Sequence, residues 1–211
     1  MVFPEPFTTT SPVLVNFSFT DLVSQSGNII FYGTAETDNG GTTYSLTQNT
    51  RNSNPTNTTA SVPQTSPNKT IDVDFDITFN TNQRIRGDVI LSVPVSAQRN
   101  IASNYNTYLV YSLVRDPSGD NETIMSGQSD NKTTAAVSTN RYRYVTKENV
   151  ASEIQVRAGD LLRLNIQVWT TLAPGGGMGT VWLYHDPLST EAAVNSVSTE
   201  LKLTLPLVLD L

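Results

Sequence analysis

Along most of the chain, apolar and polar positions alternate with a period of two, the pattern of strands that bury one face. Thr70–Phe79 reads TIDVDFDITF. Ile71, Val73, Phe75, Ile77 and Phe79 fall on one face, and Asp72, Asp74, Asp76 and Thr78 on the other. VLVNFSF, Val13–Phe19, sets Val13, Val15, Phe17 and Phe19 against Leu14, Asn16 and Ser18. NIIFYGT follows a Ser-Gly turn and TTYSLT follows DNGG, which makes a strand–turn–strand series. Further strands are expected at DVILSVPV, at Tyr105–Val114, at ETIMSG beyond the turn DPSGD, at AAVST and at RYRYVT. ASEIQVRAGDLLRLNIQVWTTL reads as two strands joined by a tight AGD turn. One short helix is expected at Ser189–Val197, with Ser189 as its N-cap.

Two segments break the alternation. From Gln48 to Thr70 the sequence QNTRNSNPTNTTASVPQTSPNKT offers almost nothing to bury, and it is expected to be an exposed polar loop. At the other end, Leu201, Leu203, Leu205, Leu207 and Leu209 alternate with Lys202, Thr204, Pro206 and Val208. Pro206 cannot donate a ladder hydrogen bond, so Leu201–Leu211 is expected to be an edge strand or an arm. Its leucine face needs a cover, either the domain itself or a neighbouring subunit, and the five leucines are candidate subunit contacts. About ten short strands with turn signals between them point to an all-β fold, an antiparallel β-sandwich of jelly-roll type. The expected organisation is an arm over residues 1–12, one sandwich domain over 13–200, and a C-terminal strand or arm over 201–211.

Composition agrees with strands. At 211 residues the chain can bury about 70% of the surface that its unfolded form exposes. Charged residues are only 15% of it, and Thr, Ser and Asn take their place, which suits pleated surfaces and turns. The net charge is −6 and no basic cluster stands out, so a nucleic-acid partner is not expected. No apolar run is long enough for a membrane-spanning helix. The start MVFPEPFTTT has neither the basic nor the apolar region of a signal peptide. Without cysteine there is no disulfide, thiolate metal site or cysteine nucleophile. Glycosylation sequons read at Asn16, Asn57, Asn68, Asn121 and Asn131.

The stretch LNIQVWTTLAPGGGMGTVWLYHDP holds both tryptophans and the single histidine. A phosphate cradle needs a helix after its glycines. Here TVWLYH continues as β, so APGGGMG reads as a loop between strands. His185 and Asp186 are adjacent on a strand and point to opposite faces, and no serine sits on a nucleophile elbow. No catalytic residue, metal site or cofactor is therefore assigned, and the chain is expected not to be an enzyme. Asp72, Asp74 and Asp76 share a face that could hold calcium. The motif lacks the glycine and closing Glu of an EF-hand loop, so a solvated acidic face that discourages edge aggregation is expected. Arg86-Gly87-Asp88 spells an integrin tripeptide, but it enters an apolar strand. Trp182 and Tyr184 share one strand face and, with Trp169, are candidates for surface or glycan contact.

VNFSFTDLVSQSGNIIFYGTAE and VRAGDLLRLNIQVWTTLAPGGGMGTVWLYHDP together cover about a quarter of the 211 residues. They resemble segments of β-sandwich virion proteins of bacterial and archaeal viruses, namely minor capsid, cement or decoration proteins. The AGD-L-R-L turn and the G-T-V-x-L-Y-x-D-P strand carry the resemblance. It implies a non-enzymatic protein of the virion, assembled in the host cytoplasm. The implied partners are the major capsid protein and copies of itself in a trimer. The alternative is a carbohydrate- or receptor-binding β-sandwich module on a virion or cell surface.

Overall fold

The computed structural model describes residues 26–37, 43–48, 57–62, 67–99, 105–115, 121–134, 139–172, 179–185 and 200–208. They form twelve strands: β1 (Ser26–Thr37), β2 (Thr43–Thr47), β3 (Asn57–Ser61), β4 (Asn68–Thr78), β5 (Gln83–Arg99), β6 (Tyr105–Arg115), β7 (Glu122–Gln128), β8 (Lys132–Thr134), β9 (Thr139–Val156), β10 (Leu161–Leu172), β11 (Gly179–Tyr184) and β12 (Lys202–Val208). The all-β class matches the alternation of the sequence. Expectations for residues 1–12, for the strand at 13–19, for most of AAVST, for the helix at 189–197 and for Leu209 lie outside the described residues.

The strands follow one hydrogen-bonded path, β3-β11-β5-β12-β1-β2-β4-β10-β6-β7, with β8 paired to β6 and β9 to β5. Strand β5, with 17 residues, organises one half. β9 runs along one of its edges, and β12 and β11 lie end to end along the other. β12 reaches Ser92 and β11 starts at Val95, so Pro94 sits in the gap between them. A proline is tolerated inside this long strand because no ladder partner on that side needs its missing N–H.

The path curls over so that β9 approaches β6 and β7 from the other layer. Side chains bridge the two, the Tyr144 hydroxyl donating to the Thr107 carbonyl at 2.8 Å and the Ser126 amide donating to Glu148 Oε2 at 3.1 Å. The inward faces then meet in a single core. Phe31, Phe75, Phe79, Leu91, Leu109, Leu113 and Leu162 are fully buried, and the Phe31 and Phe79 rings meet edge to face at 6.1 Å. Burying each such side chain contributes about 1.5–3 kcal/mol, which offsets much of the entropy lost on ordering the chain.

Three expectations are corrected. The sheet is not antiparallel throughout, because β2 runs parallel to β4, from Thr43 opposite Asp74 to Ser45 opposite Asp76. A parallel pair needs a crossover between its strands, and the polar segment 48–70 supplies it. That segment is not simply an exposed loop: Asn57–Ser61 forms β3 against β11, and Val62 is buried, its amide donating to the Gly179 carbonyl at 2.9 Å. Its threonines suit a strand, and among its described residues only Val62 is fully buried, with Ala60 packed against the core.

The third correction concerns the C-terminus. β12 is neither an edge nor an arm but lies between β5 and β1. Pro206 falls inside the register shift between Thr204 and Leu207 against β5, where the ladder is interrupted anyway. Leu201, Leu203, Leu205 and Leu207 are 0–1% exposed, covered by the chain's own core. These four are therefore not subunit contacts.

Candidate functional site

His185 follows β11 and is fully buried. Its Nδ1 lies 3.0 Å from the Thr34 carbonyl oxygen. A carbonyl only accepts, so Nδ1 carries the proton and Nε2 of the neutral ring is an acceptor. The Thr58 hydroxyl lies 3.4 Å from Nε2. The Tyr44 and Phe75 rings close around the imidazole at 4.4 and 5.3 Å. Gly33 admits this packing, because a Cβ there would stand 3.0 Å from both the His185 carbonyl oxygen and the Phe75 ring. Burial pushes the imidazole pKa down to about 4, and the bond to Thr34 opposes this only in part. The ring is neutral at pH 7 and sealed from solvent. It acts as a polar pin between β1, β3 and the end of β11, and it is not placed for proton transfer with a solvent-borne substrate. Asp186 lies outside the described residues.

The glycines at 175–177 also lie outside them. Strands flank the loop on both sides as expected, but they are not partners. β10 lies between β4 and β6, and β11 lies between β3 and β5. The loop therefore crosses from one part of the sheet to another and is not a hairpin tip.

The aspartates of β4 do share a face. In the register with β10, Asp76 stands opposite Arg163, Asp74 opposite Asn165 and Asp72 opposite Gln167. Arg163 donates from Nε and Nη2 to the two Asp76 oxygens at 2.8 and 2.7 Å. Asn165 Nδ2 donates to Asp72 and to Asp74, both at 2.8 Å. Lys69 adds an ion pair to Asp72 at 2.5 Å. Partial burial works against the Asp72 charge, but the bonds from Lys69 and Asn165 outweigh it and hold the carboxyl below its usual range. The acidic face is thus engaged by donors from β10 and from Lys69, with Asp72 still exposed to solvent. β4 is also an internal strand, so these charges do not guard an edge. Among the described residues no group of three or more His, Asp or Glu side chains could hold a metal ion. Asp88 of the Arg86-Gly87-Asp88 tripeptide is likewise engaged, bonded by Lys147 at 2.7 Å and Asn149 at 2.8 Å across β9.

Trp182 and Tyr184 project from the outward face of β11 while Val181 and Leu183 enter the core. The Arg141 guanidinium sits 5.6 Å over the Tyr184 ring. Trp169 does not join them. It stands on β10 opposite Tyr108 of β6, and the two rings stack with 6.2 Å between centroids and 12° between planes. Trp169 Nε1 donates to Gln167 Oε1 at 3.0 Å, which fixes the indole. The outward face of β4, β10 and β6 thus carries an aromatic pair beside amides and carboxylates. Alternation in YNTYLVYSLV marks Tyr108 as outward-facing, but only the register between β6 and β10 brings it to Trp169. Among the described residues no helix is long and apolar enough to cross a membrane.

No family model matches the chain, and no curated protein matches it. Among solved structures it is similar to a CocE/NonD family hydrolase from Staphylococcus aureus, with 12% identity and a TM-score of 0.50 over 87% of this chain and 36% of that one. It is also similar to an aminopeptidase from the marine sediment archaeon Thaumarchaeota archaeon, with 8% identity and a TM-score of 0.53 over 88% of this chain and 37% of that one. The chain therefore spans little more than a third of either protein, and at these identities the likeness shows the fold alone. Structures of infectious bursal disease virus are more remote; the Gt strain has 6% identity and a TM-score of 0.36 over 88% of this chain and 37% of that one. A likeness that remote carries no argument.

Proposed function

We propose that the chain is a non-enzymatic structural protein of a virion, a cement or minor capsid protein of jelly-roll type that binds the capsid lattice and stabilises or decorates the shell. The observation that supports this reading is the use the fold makes of its reactive side chains. His185 is sealed and neutral. Asp72, Asp74 and Asp76 are held by Arg163, Asn165 and Lys69. What faces outward is a β surface suited to contact. With the leucines internal, contacts with the major capsid protein and with copies of the chain fall to outward faces and to the edge of β3, which pairs only with β11 among the described residues. The resemblance of the AGD-turn and GTVWLYHDP segments to virion proteins supports the same reading. Purified particles are expected to contain the chain at fixed stoichiometry with the major capsid protein, and light scattering of the free protein is expected to report a trimer. Particles without the chain would refute the role.

A second reading is carbohydrate binding, favoured by the stacked Tyr108–Trp169 pair beside Gln167 and Asn165. Under it, glycan-array binding is lost with Trp169→Ala and survives Trp182→Ala. No binding to any glycan would count against it.

A further inference from the structure

The outward face of β4, β10 and β6 brings side chains of distinct chemistry into neighbouring positions. Cross-strand register sets Asp72 opposite Gln167, and one step along the same face of β10 it sets Trp169 opposite Tyr108. The two rings lie nearly parallel, with 6.2 Å between centroids. On a sheet face the diagonal from Asp72 to Trp169 is about 7–8 Å, so one small ligand can reach both.

The polar atoms beside the aromatic pair are oriented by the bonds they already make. The indole N–H of Trp169 donates to Gln167 Oε1 at 3.0 Å, so the Gln167 amide turns its oxygen to the ring and keeps its N–H groups for another acceptor. Asn165 spends its amide N–H groups on Asp72 and Asp74. Asp72 accepts one bond at Oδ1 from Asn165 and one at Oδ2 from Lys69. A carboxylate oxygen has two lone-pair sites, so each Asp72 oxygen can accept once more. The Asp72 side chain is 38% exposed, which leaves those sites open to solvent. An apolar ring surface flanked by an amide donor and a charged acceptor suits a sugar, whose C–H face lies on the rings while its hydroxyls meet the polar groups. Charge decides which sugars. Asp72, Asp74 and Asp76 outnumber Lys69 and Arg163, and both cations are engaged with these carboxylates. A ligand hydroxyl donates to Asp72, whereas a ligand carboxylate or sulfate is repelled by it.

We infer that, given the carbohydrate reading of the Tyr108–Trp169 pair on which this rests, the face binds neutral glycans and rejects anionic ones. Trp169 and Tyr108 form the stacking surface, Asp72 accepts from the ligand's hydroxyl groups, and Gln167 Nε2 donates to them. The site does not depend on the virion role.

The test applies the full chain to an array that carries neutral oligosaccharides of glucose, galactose, mannose and N-acetylglucosamine beside sialylated, uronate and sulfated ones. The glycans bound are expected to be neutral. Calorimetry with the strongest of them should give an affinity that changes less than about twofold between roughly 50 and 500 mM sodium chloride, because the ligand carries no charge to screen. Asp72→Asn should weaken binding about tenfold by removing the charge-assisted bonds. Gln167→Glu still accepts the indole N–H but no longer donates, and should weaken binding about two- to tenfold. Asp88→Asn, on β5 in the other layer, should leave the affinity unchanged. Binding confined to anionic glycans, or equal for both classes, would overturn the inference and leave the carbohydrate reading in place. Binding to no glycan would remove both. An affinity unchanged by both Asp72→Asn and Gln167→Glu, in variants whose circular dichroism matches the wild type, would also overturn it.

Discussion

His185 should make the protein sensitive to mild acid above the pH at which the lowered Asp72 and Asp88 come into play. The folded imidazole titrates at about 4, against 6.5 for the free side chain. A depressed folded pKa means that stability is fully present above the unfolded value and is lost as pH falls through the folded one. The difference of about 2.5 units, at about 1.4 kcal/mol per unit, amounts to roughly 3 kcal/mol in all. By pH 4.5 about 2.5 kcal/mol of it is gone, a large part of a typical domain's total. Asp72 and Asp88 are held below their usual 3.8, so their contribution is present above that pH and is lost only below it. The chain has no other histidine. Urea unfolding of the wild type and His185→Asn at several pH values between 7 and 4.5 measures the effect. Asn can still donate to the Thr34 carbonyl, so the variant should start less stable but lose little more across the window. An equal loss in the variant, or a histidine pKa near 6.5 by NMR in the folded protein, would refute the buried, neutral assignment.

Leu203→Ala should cost about 2–5 kcal/mol in urea unfolding, because the residue is fully buried between β1 and β5. Deleting residues 201–211 should abolish the folded circular-dichroism signature altogether, where loss of capsid incorporation from a still-folded domain would show the segment to be an arm. Thr146→Val should raise stability by about 1 kcal/mol, since it replaces an unpartnered buried hydroxyl with a methyl group of similar shape. An unchanged or lower midpoint would mean that the hydroxyl already has a partner. Arg163→Met should cost about 0.5–1 kcal/mol, kept small by the partial exposure of the Arg163–Asp76 pair, and the loss should shrink in high salt.

The sequence carries the strands well because burial in a sheet writes a period of two. Ile71, Val73 and Phe75 announce their inward face, and so do Leu162, Leu164 and Ile166. It carries register and neighbours poorly, because those depend on which distant strand lies alongside. Nothing local in TIDVDFDITF says that Arg163 and Asn165 will stand opposite its aspartates. Nothing in ELKLTLPLVL says that a proline-bearing strand will lie inside the sheet, since the interruption that tolerates Pro206 belongs to its pairing with β5. The polar segment at 57–61 hides its strand because an edge strand has little apolar surface to show. His185 is legible as a strand end, but its burial depends on Gly33 and Tyr44, far away in the chain.

The place of β12 between β1 and β5 also sets a timetable. During synthesis β1 emerges before β5, yet among the described residues the sheet path between them runs only through Lys202–Val208. Until those seven residues leave the ribosome, the growing chain carries two unfinished edges with apolar inner faces. Closure then brings together residues far apart in sequence, which is slow by its topology. A nascent chain should stay protease-sensitive until it has been translated past Val208 and then become resistant in one step. Strand β12 acts as a clasp, and the interval before it closes is when such a chain most needs a chaperone.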